Sequence, residues 1–208
     1  MHSIKPHKVY QWDGVEVLKE AAQYGVVQIM SPPKTPEAFL KFLASLGPLM
    51  FTEGETPVAG HPLLNVVTNI NRRTKPKSVF HSDTSYIARP PSNSALIAID
   101  VPKTGGATLF SDQYAALDSL DDDLRILLQG AEVLHTATGV PDSQSTWQPL
   151  IRYNPISGRE ALFLTSVARC KRLRLTDGTD RTDLLQGLYD KSLTNTPLIK
   201  HNWSLGDV

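Results

Sequence analysis

The sequence predicts an α+β protein in which a helical N-terminal portion feeds a many-stranded antiparallel body carrying one inserted helix, an arrangement satisfied by a jelly roll with flanking helices. Three observations carry this expectation. Before residue 48 the apolar side chains recur at helical spacing in two segments; between residues 63 and 164 they gather into short runs cut by Pro, Gly and Asn; and one helical stripe interrupts those runs. No internal repeat or low-complexity linker divides the 208 residues, so a single domain over 1–208 is expected.

Val15, Val17, Leu18, Ala21, Ala22 and Tyr24 predict a first helix over 12–24, stopped by Gly25. Residues 26–30 are short, β-branched and closed by Pro32-Pro33, which reads as a buried strand. Thr35 as cap, Pro36 in the first turn and the stripe Phe39, Leu40, Phe42, Leu43 and Leu46 predict a second helix, ended by Gly47-Pro48. Strands are expected at 63–68, 95–100 and 108–110. Over 112–130, Tyr114, Leu117, Leu120, Leu124, Leu127 and Leu128 make one helical stripe. Asp121-Asp122-Asp123 within it reads as a solvated helix start, because adjacent helical positions point about 100° apart and cannot converge on a cation. Further strands fall at 133–137, 150–153 and 161–164, the last two joined by a tight hairpin over 154–158, and 183–192 forms another helix.

Composition narrows the partners. Twenty-one acidic against 21 basic side chains give no electrostatic reason to expect nucleic acid or an anionic membrane. The one basic cluster, Arg169-Cys170-Lys171-Arg172-Leu173-Arg174, reads as a solvated strand end or loop. A single cysteine, Cys170, cannot form an internal disulfide, and no apolar stretch reaches the ~20 residues of a membrane span, so a cytoplasmic protein is expected. Cys170 itself reads as a packed thiol rather than a nucleophile.

The chemistry concentrates in Phe80-His81-Ser82-Asp83-Thr84-Ser85-Tyr86. On a strand, residues i and i+2 share a face, so the His81 imidazole and Asp83 carboxylate would converge on one point. That is two-thirds of a non-haem iron site, whose facial triad takes two histidines and a carboxylate and leaves positions open. No other histidine supplies an obvious third ligand. His135 reads as a packed or hydrogen-bonded core residue, His201 as solvated, and His2 and His7 lie near a terminus expected to fray.

Taken in order, Phe80-His81-Ser82-Asp83, Arg89-Pro90-Pro91, Gly105-Gly106-Ala107-Thr108, Pro149-Leu150-Ile151-Arg152 with Gly158 to Phe163, and Trp203-Ser204-Leu205-Gly206-Asp207 resemble the taurine dioxygenase and 2,4-dichlorophenoxyacetate dioxygenase superfamily. The resemblance implies an Fe(II)- and 2-oxoglutarate-dependent oxygenase that hydroxylates a small organic substrate with O2, releasing succinate and CO2. It implies that His81 and Asp83 are iron ligands and that the Thr108 hydroxyl helps bind the distal carboxylate of 2-oxoglutarate, with the paired glycines allowing close backbone approach. Arg152 is either a site residue or a structural strand arginine. His61, in Gly60-His61-Pro62, occupies a loop that approaches substrate in relatives, so it is either a substrate contact or an idle loop histidine.

The same resemblance implies a departure. In the family the Trp-x-x-Gly-Asp turn leads to a strand supplying the second iron histidine, followed by an arginine that pairs with 2-oxoglutarate, whereas this sequence ends at Val208. The expectation is therefore a C-terminally incomplete domain, a jelly roll missing its C-terminal strands, whose open edge could pair with a second copy. The alternative is a catalytically inactive homologue acting through binding or oligomerisation. A carbohydrate-binding or seed-storage-like jelly roll gives no reason for the ordered motifs. The stretch before Pro149 is short where many relatives carry a lid, and Gln148 stands where they commonly have histidine, so a substrate other than taurine is expected.

Overall fold

The computed structural model describes residues 4–10, 13–51, 56–68, 79–137 and 144–208. These fall into two compact units, one drawing on 7–79, 95–106 and 203–208, the other on 80–94 and 107–202 with the start of the chain to residue 6.

In the first unit, β1 (His7–Val9) runs parallel to β2 (Val27–Ile29), and α1 (Gly14–Tyr24) connects them. Asp13 starts α1 by accepting from the Val15 and Glu16 amides, and Gly25, at φ +77°, ends it. Trp12, expected inside this helix, lies outside the described residues. Thr35 and Pro36 open α2 (Pro36–Leu46) as expected. The two helices approach closely because residue 14 has no Cβ: one built there would run into the Ser45 backbone. Val9, Val17, Ile29, Phe39 and Phe42 form the core, with Leu46, Leu64, Ile97 and Val208 packed against it. A hairpin of β3 (Pro57–Val58) and β4 (His61–Asn65) completes the unit, so the strand expected at 63–68 begins earlier. Residues 95–100 are not a regular strand: within them Ala98 alone bonds residues 206 and 207, and one residue's pair of bonds makes no ladder. His7 is not frayed, since its Nε2 lies 2.8 Å from Glu20 Oε2 and its ring stacks on Tyr24.

The second unit holds β5 (Thr108–Ser111), α3 (Gln113–Asp118), α4 (Asp122–Leu127), β6 (Glu132–His135), β7 (Thr146–Pro149), β8 (Ile151–Asn154), β9 (Arg159–Leu162), β10 (Cys170–Arg174), α5 (Leu185–Thr194) and β11 (Leu198–His201). Strands β10, β6 and β7 form an antiparallel sheet in that order, β8 pairs with β9 across the expected hairpin, and β5 pairs with β11. Leu117, Leu128, Leu150, Val133, Leu173 and Leu188 are sealed in the common core.

The single helix expected over 112–130 is two. Asp112 caps α3 through the Tyr114 and Ala115 amides, and Asp121 takes the Leu124 amide and starts α4 afresh. The Asp121-Asp122-Asp123 run is thus a helix start, as its spacing predicts. Strands β7, β10 and β11 were not foreseen. The basic cluster, expected as a solvated strand end or loop, lies on strand β10, whose Cys170 and Leu173 turn inward while Lys171 and Arg172 stay exposed. Among the described residues the strands make one three-stranded and four two-stranded sheets. No helix there is long and apolar enough to cross a membrane.

Candidate metal centre

His81 and Asp83 do not sit on a strand. Their segment is irregular up to residue 82 and turns at 83–86, where Thr84 adopts the left-handed φ of +49°. The expected convergence holds nonetheless: His81 Nε2 lies 3.1 Å from Asp83 Oδ1. The side chains are 43% and 60% exposed, so the pair faces solvent. Hydrogen bonding from His81 holds the Asp83 carboxyl below its ordinary pKa, helped by the His81 and Arg169 charges and by Ser94 Oγ, which donates to Oδ2 at 3.4 Å; partial burial opposes the fall.

The backbone beneath the pair is anchored from three directions. Ser82 donates its hydroxyl to the Leu164 carbonyl at 2.6 Å and its amide to Thr165 Oγ1 at 3.4 Å. Tyr189 on α5 donates to the Phe80 carbonyl at 3.1 Å. Gln148, buried on β7, donates to the carbonyls of Ser85 and Ile87 at 3.0 and 2.7 Å. In the sequence Gln148 stands out only by occupying the place where relatives commonly have histidine. Its signal is a polar residue at a strand position that the sheet buries.

The donor set suits a divalent cation. Two ligands bound at about 2.1 Å and at right angles on one octahedral cation lie about 3.0 Å apart, close to the observed spacing. Imidazole nitrogen plus carboxylate oxygen is also the mixture non-haem iron takes. Among the described residues no group of three or more His, Cys, Asp or Glu side chains gathers at one point.

Thr108 opens β5, half-buried and directly across from His201 of β11. The preceding Gly105 and Gly106 both take left-handed φ, +78° and +75°, and a Cβ on Gly106 would strike the Pro102 ring, which explains the paired glycines. His201 is buried rather than solvated, because β11 pairs inward with β5. His61 belongs to the other unit, where it opens β4 with Nε2 3.2 Å from Glu37 Oε1; it is not an idle loop residue.

His135 is a fully buried core residue stacked near Phe163, as expected. Burial drives its pKa down to about 4, with the Arg152 charge adding to the fall and the Phe163 backbone opposing it. Arg152 lays its guanidinium over the Phe163 ring, 4.5 Å from the centroid, in keeping with a structural strand arginine. Cys170 is packed as expected: burial lifts its thiol to about 11, and Sγ donates to the Thr165 carbonyl. Such a thiol is unreactive.

Residues 3–208 match the profile of the family described as taurine catabolism dioxygenase TauD, TfdA family, and the chain belongs to that family. Pentalenolactone F synthase of Streptomyces avermitilis is 30% identical over 62% of this chain and 51% of its own length. The alpha-ketoglutarate-dependent 2,4-dichlorophenoxyacetate dioxygenase of Burkholderia sp. (strain RASC) is 31% identical over 62% of this chain and 48% of its own. The chain thus spans about half the length of these curated relatives. Among solved structures, a taurine dioxygenase from Burkholderia xenovorans superposes with a TM-score of 0.76 at 20% identity, covering 99% of this chain and 77% of that one. AAD-2 in complex with Mn(II) and N-oxalylglycine superposes with a TM-score of 0.72 at 21% identity, covering 99% and 84%. The fold is therefore the one these dioxygenases share.

Proposed function

We propose that this chain carries the iron- and 2-oxoglutarate-binding part of a dioxygenase that hydroxylates a small organic substrate, with O2 consumed and succinate and CO2 released. The observation behind this reading is the 3.1 Å approach of His81 Nε2 to Asp83 Oδ1 on one solvent-facing turn. Family membership supports it, and so do the printed activities of relatives such as the 2,4-dichlorophenoxyacetate dioxygenase. One fold neighbour is described in complex with Mn(II) and N-oxalylglycine, whose skeleton is that of 2-oxoglutarate with N–H in place of one methylene.

In this reading Asp83 Oδ1 and His81 Nε2 hold Fe(II), which when bound supplies oxygen activation at its open positions. Asp83 is suited to the task because its carboxyl, held below its ordinary pKa by the His81 hydrogen bond, is anionic and solvent-facing. Thr108 donates its hydroxyl to the distal carboxylate of 2-oxoglutarate, and the bare Gly105-Gly106 backbone leaves room for the co-substrate. His61, oriented by Glu37, is a substrate contact. We read both units as one jelly-roll family domain of a cytoplasmic protein, the profile running across both and the single cysteine suiting a reducing compartment.

Anaerobic titration of the chain with Fe(II) and 2-oxoglutarate tests this. A saturable visible charge-transfer band is the expected result, and its absence from a folded sample overturns the reading. Only two donors of a facial triad are gathered among the described residues, which favours a second reading: a non-catalytic family member acting through binding or oligomerisation. That member would give no band and no substrate-stimulated succinate.

A further inference from the structure

Asp83 owes its aim to the turn that follows it, and that turn is strained. Thr84 is β-branched yet sits at φ +49°, a region such residues rarely enter. A strained conformer of this kind persists only where its surroundings over-determine it. The turn's own closing bond is long, the Ile87 amide reaching the Thr84 carbonyl at 3.3 Å. Upstream, Ser82 is fastened by Leu164 and Thr165. Downstream, the side-chain bonds fastening the turn come from Gln148: its single amide nitrogen spends both protons on it, one on the Ser85 carbonyl at 3.0 Å and one on the Ile87 carbonyl at 2.7 Å.

The chemistry of that position is demanding. Two carbonyls converge on one donor atom inside the protein, where Gln148 is only 4% exposed. A neutral nitrogen with two protons satisfies both; a hydroxyl satisfies one, and a lysine would bury a charge. We propose that Gln148 is a positioning residue for the metal pair: its amide clamps the turn at residues 83–87 in the strained form and so holds the Asp83 carboxylate beside His81. The purpose of the clamp rests on the metal-binding reading above, whereas its geometry does not.

The test is a mutant cycle on the whole chain, read by amide hydrogen exchange and by Mn(II) binding followed by electron paramagnetic resonance. Gln148→Leu removes both donors and is expected to speed exchange at the Ile87 amide and its neighbours roughly ten- to a hundredfold, the range for stranding buried acceptors. Exchange at Leu134 and Leu173 in the β6–β10 ladder should hold at the parent rate. Mn(II) affinity should fall by a similar factor. Adding Thr84→Gly, which accepts left-handed φ without strain, should restore most of that affinity even without the clamp. Should Gln148→Leu fail to fold, Gln148→Asn keeps the amide but shortens its reach by one methylene, and it should loosen the same amides to a lesser degree.

Parent-like exchange at the turn overturns the proposal, as does loosening shared equally with the β6–β10 ladder or a Thr84→Gly change that recovers nothing. If the parent chain itself takes up no Mn(II), the metal-binding reading fails, and the exchange measurements still decide whether Gln148 is a clamp.

Discussion

At residue scale the site is a balance between exposure and local bonding. His81 hydrogen-bonds the Asp83 carboxyl and holds its pKa below the ordinary carboxylate value, while both side chains stay open to solvent. Asp83→Asn, with nearly unchanged shape but no charge, should lower Fe(II) affinity at least tenfold, as should His81→Ala; calorimetric titration of folded samples checks both. His135 behaves in the opposite sense. Its folded pKa of about 4 lies below the ordinary histidine value, so the unfolded chain takes up the proton first. Stability from this group is complete above about pH 6.5 and falls as pH drops toward 4, by on the order of 3 kcal/mol in all. Denaturant unfolding at pH 7 and pH 4.5 should show a smaller loss in His135→Phe than in the parent. The donor pair was legible in the sequence because its members lie only two positions apart. Gln148 was not, since its partners Ser85 and Ile87 lie some sixty positions away and nothing local announces them.

Elements were legible in proportion to how locally they are encoded. Helix α1 announces itself through its apolar spacing ended by Gly25, and α2 through Pro36 at its first turn and Thr35, whose side chain takes the Ala38 amide three residues on. The same local logic, applied too loosely over 112–130, hid a break that Asp121 creates by capping α4. Asp121→Ala should therefore lower the midpoint of thermal or denaturant unfolding. Gly14→Ala, although it favours helix locally, should destabilise the protein, because the new methyl meets the Ser45 backbone and α1 must shift away from α2. Strand β10 escaped detection for a different reason. A register shift between Cys170 and Arg172 breaks the alternation of two that marks a strand, and exposed Lys171 and Arg172 mask the buried Leu173.

At the scale of the whole molecule, the α+β class and the family were readable, because ordered motifs and runs of apolar residues survive without knowledge of pairing. The division of the described strands into five short sheets was not, since β5 meets β11 and β6 meets β10 across stretches that no periodicity records. Each unit has its own apolar core, and Leu173, sealed in the larger one, should cost about 2–5 kcal/mol when cut to alanine, read from the shift of a urea midpoint. Sequence distance also separates two kinds of contact in the denatured chain. The Arg174–Glu132 ion pair spans 42 residues and dissolves on unfolding, whereas His81 and Asp83 stay neighbours along the chain whatever its shape. On the metal-binding reading, a cation in excess will therefore also occupy the denatured ensemble, and its effect on the melting temperature will understate its affinity for the native protein.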